Sequence, residues 1–309
     1  MVTYDDIEAA AARIAGHTRT VALARADDDL WFALEYLQHT GSFKARGAAN
    51  FVAAHVAAGT MPAAGVVIAS GGNAGLANAW AAARHGVPAT VFTPTTSPAV
   101  KVDRIRALGA DTRLVGTEYD QALAASREHA ATTGALLSHA YDNPLVAAGA
   151  GTVFEEIYQA RPELDTVIVA CGGGGLFAGV AAAAHARGVR AVAVEPAGCP
   201  TLHTALAVGE PVEVGVDSIA ADALGARLVT PAALHWAQTT GAPTLLVPDE
   251  AITAARRALW EEYRIVVENA AAAAYAALHS RAYEPAPGER VCVVLCGANT
   301  DPGDLVVRP

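Results

Sequence analysis

The chain has 309 residues, 53% of them hydrophobic and 17% charged, with a formal net charge of −10. That is enough apolar surface for one large core or for two that share a cleft. An acidic surface excludes nucleic acid and anionic membranes as expected partners, since both reward clustered Lys and Arg. The mean hydropathy of +0.29 comes largely from alanine. The longest Ala/Tyr/Leu run, Ala270 to Leu278, falls far short of the roughly 20 residues that span a bilayer. The N-terminus shows no basic segment followed by an apolar run, so a cytoplasmic protein is expected.

In chain order, strands are predicted at Leu30–Leu37, Val66–Ala69, Ala89–Phe92, Thr112–Val115, Thr166–Ala170, Ala191–Val194, Thr244–Val247 and Arg290–Leu295. Between them lie predicted helices at Asn73–His85, Pro98–Leu108, Tyr119–Thr133, Pro144–Gln159, Leu176–Arg187, Glu250–Tyr263 and Ala270–Arg281. Strand-then-helix order with near-continuous apolar strands predicts an α/β fold with mostly parallel sheets flanked by helices. In such folds ligands gather at the carboxyl ends of strands, where helix N-termini point free N–H groups.

Three glycine-bearing segments fall at such ends: Ser70-Gly71-Gly72-Asn73, Cys171-Gly172-Gly173-Gly174-Gly175 and Cys296-Gly297-Ala298-Asn299. Gly172 to Gly175, between a strand and an alanine-rich helix, suit a phosphate or simply a tight turn with close helix–sheet packing. Gly172-x-Gly174 with Glu195 about 20 residues on also imitates a dinucleotide fingerprint, although the helix-side glycine, Gly179, is out of register. An NAD-dependent dehydrogenase is therefore the alternative from a different class. Ser70 to Asn73 reads either as a carboxylate loop or as an ordinary helix N-cap.

Only two lysines exist, Lys44 and Lys101. Lys44 lies between Phe43 and small residues in Thr40–Ala48, where partial desolvation would lower its pKa and free a nucleophilic amine. Lys101, in a helix rich in Arg and polar residues, reads as a lysine on a solvent face. The four cysteines form no CxxC pair, so neither a zinc site nor a disulfide framework is expected. Cys296, ending a strand, is either an inert buried thiol or a weak donor facing a ring nitrogen. The ten histidines show no ligand spacing, and none is assigned a role.

Together and in this order, the segments resemble the fold-type II pyridoxal-phosphate enzymes (tryptophan synthase β-like), and among them the serine/threonine dehydratases or ammonia-lyases. The likeness runs through Leu34-Glu35-x-Leu37-Gln38-x-Thr40-Gly41-Ser42-Phe43-Lys44, Ser70 to Asn73 and Pro94, Pro98, Lys101 and Gly109-Ala110. It continues through Tyr141-Asp142-Asn143-Pro144, Gly149-x-Gly151-Thr152, the glycine loop, Glu195-Pro196 and Leu295-Cys296-Gly297-x-Asn299, and so covers nearly the full chain.

The resemblance implies pyridoxal 5'-phosphate as cofactor, bound covalently by Lys44, which would also remove the α-proton. Phe43 would pack beside the cofactor ring, Gly172, Gly173, Gly174 and Gly175 would cradle its phosphate, Asn73 would meet its hydroxyl, and Cys296 would face its nitrogen. Ser70 with the backbone of Gly71, Gly72, Asn73 and Ala74 would hold the substrate carboxylate. It further implies a small-molecule amino-acid substrate, a homodimer, and two domains: a large one from 1–52 and 141–309, and a smaller insert at 53–140. Closure of the insert would exclude water from the reaction.

The implied reaction is dehydration and deamination of a β-hydroxy amino acid such as L-threonine or L-serine. The same lysine would serve a cysteine synthase-like β-replacement, whose usual loop sequences are not seen here. Racemases of the group carry a serine where this chain has Gly71, so little racemisation is expected. Some relatives bind a divalent cation through a Glu, a carbonyl four residues on and an acid six on. Here Glu195 and Cys199 fit but Thr201 replaces the acid, so no metal is expected. Two further segments depart from the family, Ala221-Asp222-Ala223 and Glu268-Asn269; the resemblance implies that both face the ring edge, so a different substrate preference is expected. The chain ends at Pro309, which leaves no room for a C-terminal amino-acid-sensing domain, and inhibition by isoleucine is not expected.

Overall fold

The computed structural model describes residues 1–305. Ten strands form two sheets: β1 (Leu23–Asp27), β2 (Leu30–Ala33), β3 (Val66–Ala69), β4 (Ala89–Thr93), β5 (Asp111–Leu114), β6 (Leu136–Leu137), β7 (Thr166–Ala170), β8 (Arg190–Pro196), β9 (Thr244–Val247) and β10 (Val291–Val294). The larger sheet has the order β1-β2-β10-β7-β8-β9, the smaller β5-β4-β3-β6. Every pairing is parallel except that of β1 with β2. The smaller sheet draws only on chain between β2 and β7.

Strands β3, β7 and β10 are buried at every residue, as expected of parallel strands covered by helices on both faces. The alanine-rich helices come close to one another. A Cβ on Gly151 would lie 2.7 Å from Gly179 O, and one on Gly179 would lie 2.3 Å from Ala147 O. Gly179 therefore serves the crossing of helices Pro144–Ala160 and Gly175–Ala186, and its place owes nothing to a dinucleotide fingerprint.

Two expectations change. The strand at Leu30–Leu37 stops at Ala33, because Glu35–Leu37 turns into a 3-10 helix and Tyr36 N crosses to Leu295 O at 2.9 Å. The polar edge strand β1 and the helix Lys44–Ala57 went unpredicted. β1 is half-exposed and held by its hairpin with β2, while the helix buries Arg46 and Asn50 among its alanines and so lacks an apolar stripe. Among the described residues no helix is long and apolar enough to cross a membrane.

Candidate active site

The three glycine segments converge at the carboxyl ends of β3, β7 and β10. Chain 41–43 is zipped onto the segment that follows β10: Phe43 N donates to Cys296 O (2.9 Å), Ala298 N to Gly41 O (3.0 Å), and Ser42 bridges Gly297. The turn before it holds Thr40 at φ +64 and Gly41 at φ +76, and Asn299 Nδ2 donates to Thr40 O at 2.8 Å. A Cβ on Gly41 would meet Asn299 Oδ1 at 2.8 Å, so this turn requires glycine. The zipper sets Lys44 beside Cys296.

Lys44 Nζ donates to Ala140 O at 2.7 Å and lies 4.8 Å from the Phe43 ring centroid. Burial lowers its pKa to about 8, against the opposing pull of Cys296 and Glu268. Cys296 is buried, and burial, then Glu268, pushes its thiol well above the usual range, so it stays neutral. Asn73 Nδ2 donates to both Glu268 oxygens (2.9 and 3.1 Å), and its Oδ1 accepts from Asn299 Nδ2 (2.7 Å). Asn73 thus spans from the smaller sheet to the larger.

Lys44 carries a stability signature. Its folded pKa of about 8 lies below the roughly 10.4 of an unfolded lysine, so the folded chain binds fewer protons between those values. Stability of the cofactor-free protein should rise as pH climbs from about 8 to about 10.5, with no contribution to the slope below 8. Lys44 keeps some surface open to the cleft, which trims the penalty. Lys44→Met is expected to stabilise the cofactor-free protein by about 1–3 kcal/mol at pH 7 and by almost nothing above pH 10.5. Urea unfolding at both pH values measures it, and no gain at pH 7 would show an ammonium solvated through the cleft.

The glycine loop is crowded on its outer side. A Cβ on Gly173 would lie 2.4 Å from the Tyr141 ring, one on Gly172 2.9 Å from Leu224 Cα, and one on Gly174, at φ +92, 2.4 Å from Ala233 Cβ. The N–H groups of Gly172 to Gly175 have no acceptor among the described residues, and they open the helix Gly175–Ala186. Glu195 is taken up elsewhere: Leu202 N and His203 N each donate to it at 2.8 Å, and Thr201 Oγ1 lies 2.9 Å from it and 2.6 Å from Gly172 O. A carboxylate spent on capping a helix is not available to a ribose.

At Ser70–Asn73 the helix cap is Gly72, with no side-chain cap, so the ordinary N-cap by Ser70 or Asn73 is not what forms. Ser70 Oγ accepts from Gly72 N at 3.3 Å, which leaves its O–H to donate. The N–H groups of Gly71, Asn73 and Ala74 have no acceptor among the described residues.

The expectation of a solvent-facing Lys101 is corrected: its Nζ lies 3.8 Å from Asp222 Oδ2, tying the helix Ala99–Arg106 to the far side of the cleft. Glu268, expected at the ring edge, and Asn299 and Tyr141, named only within motifs, are contacts of the site; sequence reasoning missed His139, whose Nδ1 accepts from Asp142 N at 2.8 Å. Glu268 was legible through its place in the family pattern, and His139 gave no signal.

A desolvated amine, a neutral thiol and an anion cradle of free N–H groups, meeting at parallel strand ends, define a fold-type II pyridoxal-phosphate enzyme. Buried hydroxyls left unpartnered at Thr40 and Ser42 in the Lys44 turn, and four successive glycine N–H groups at a helix start with no protein acceptor among the described residues, fit that cofactor. The chain belongs to the pyridoxal-phosphate dependent enzyme family, whose model matches residues 12–297. It is 38% identical to an L-threonine ammonia-lyase of Geobacter sulfurreducens, over 88% of this chain and 67% of that one. It is 32% identical to a serine racemase of Oryza sativa subsp. indica, over 89% and 82% of the two chains. Its fold matches the solved structure of maize serine racemase with a TM-score of 0.91 and 30% identity, over 98% of this chain and 95% of that one.

Proposed function

We propose that the protein is a serine/threonine ammonia-lyase, which eliminates water from a β-hydroxy amino acid such as L-threonine or L-serine and releases a 2-oxo acid and ammonia. The observation that carries this reading is the Lys44 amine of lowered pKa, 2.7 Å from Ala140 O and beside the neutral Cys296 thiol.

Pyridoxal phosphate supplies the electron sink for charge developing at Cα and, through its phosphate, an acid for the departing hydroxyl. Lys44 holds the cofactor and takes the α-proton, a role suited to an amine whose pKa lies near working pH. The free N–H groups of Gly71, Asn73 and Ala74, with the Ser70 hydroxyl, bind and orient the substrate carboxylate. Gly172 to Gly175 hold the phosphate. Cys296 offers the ring nitrogen a neutral thiol where a carboxylate would enforce its protonation, which favours early loss of the β-hydroxyl. The unit at 53–140 closes over the substrate, with Asn73 on Glu268 and Asn299 and Lys101 beside Asp222 as contacts across the gap.

Racemisation is the second reading, favoured by the likeness to the rice and maize racemases. Assay of L-threonine, L-serine and bulkier or acidic β-hydroxy amino acids for 2-oxo acid and D-enantiomer separates the two. The expected result is 2-oxo acid with equimolar ammonia from L-threonine or L-serine. A yellow holoenzyme that releases none from any of them sinks the lyase reading.

A further inference from the structure

Strands β3 and β4 end side by side, and each runs into a loop at the cleft: β3 into Ser70–Gly72 and β4 into Pro94–Ser97. Ser70 N donates to Phe92 O at 3.0 Å, which pins the two loops together. Thr93 is wholly buried, Ser97 is half-buried, and their hydroxyl oxygens are 2.5 Å apart. A Cβ on Gly71 would lie 2.3 Å from Thr93 Oγ1 and 3.1 Å from Ser97 Oγ. Thr93 is β-branched and sits in a packed strand end, so its hydroxyl has little freedom to swing aside. The neighbouring Gly72 has nothing within 4 Å of its Cβ position. Of these two glycines, only Gly71 is imposed by packing, and Thr93 imposes it.

Lys44, held against Cys296 by the zipper after β10, reaches Ala140 O in the chain that follows β6. Gly71 belongs to the loop after β3, two residues before the Asn73 that spans across to Glu268. Inverting an α-carbon requires a proton taken on one side and another returned on the other. We propose that the hydroxyl pair Thr93–Ser97 is the reaction-specificity element of this site. It occupies the volume that a side chain on residue 71 would need, and so keeps the wall facing Lys44 free of an acid–base group. The electron pair left when Lys44 takes the α-proton then departs through loss of the β-hydroxyl, because position 71 offers no proton on the far side. This rests on the lyase reading, and deepens it.

The packing half is tested without cofactor by a double-mutant cycle in thermal unfolding. Gly71→Ser, with Gly71→Ala as a gentler version, is expected to lower Tm by about 3 °C or more. In a Thr93→Ala background the same change should cost less than half as much, whereas Thr93→Val, which keeps the branch and the volume, should give no relief. An equal loss in all three backgrounds overturns the packing claim.

The specificity half is read in the holoenzyme on L-serine, as the ratio of D-serine to 2-oxo acid. Gly71→Ser with Thr93→Ala should raise that ratio at least about tenfold over wild type and over Gly71→Ser alone, a modest share of what a placed acid contributes. Relief of Tm with no gain in D-serine overturns the specificity assignment. So does D-serine formed by the wild type and lost in Thr93→Val, which would make the pair itself the acid. A wild type that releases no 2-oxo acid counts against the lyase reading alone, and the melting cycle still decides the packing.

Discussion

Lys44→Ala is expected to remove the visible absorption band of the holoenzyme and to cut 2-oxo acid release by at least about 10³-fold. The reason is arithmetic as well as chemical. The chain has two lysines, and the second, Lys101, is engaged with Asp222 at 3.8 Å. No other side-chain primary amine is available to take over covalent attachment and proton removal together. Borohydride reduction of the wild type should place the cofactor's mass on the peptide that contains Lys44 and on none from the variant. A variant that stays yellow and is still trapped by borohydride would move the attachment to Lys101 and overturn the site as drawn. The same substitution should leave the cofactor-free protein as stable as the wild type or more so, which separates lost chemistry from lost fold.

Arg46→Ala is expected to cost about 3–5 kcal/mol of stability, the largest structural effect of any single change considered. Arg46 is wholly buried two residues past Lys44, and its guanidinium binds Glu35 (2.5 and 3.1 Å), Glu156 (2.7 Å twice) and Thr152 (3.2 Å). Burial pushes the Glu35 carboxyl up, and Arg46 pulls it back. Without the guanidinium, Glu35 is a lone buried carboxylate that must protonate or open the fold. Its folded pKa then stands further above the unfolded value, and the folded state binds the extra proton. The variant should therefore regain stability as pH falls from 7 toward 5, where the wild type has less to gain. Urea unfolding at the two pH values measures this, and a loss below about 1 kcal/mol at pH 7 would show water replacing the guanidinium. Pairing it with Glu35→Gln should recover part of the loss, because the carboxylate that needed a partner is gone.

Both predictions turn on residues that differ in how they announce themselves. Lys44 was legible because so few amines compete with it and because Phe43 and small residues surround it in sequence. Arg46 was not, although it lies two residues away. A charge inside an alanine-rich helix carries no mark of burial until Glu35 and Glu156 are brought against it. Lys101 misled in the opposite sense, since a polar helix face reads as solvent-facing until Asp222 is seen across the cleft.

The sequence by itself determined the α/β class, the positions of β3, β7 and β9 to the residue, the glycine cradle and the lysine. These are written in contiguous chain: apolar runs, turn glycines and a helix start are local consequences of backbone sterics and burial. What the site does with them was decided only by the tertiary structure. Asn73 meets Glu268 across 195 residues of chain, and Asn299 meets Asn73 across 226. Thr93 fills the space beside Gly71, and Glu195 caps the helix that begins at Thr201. Such partners are chosen by how two sheets pack at their strand ends, and a side chain's local sequence holds no record of what packing will set opposite it.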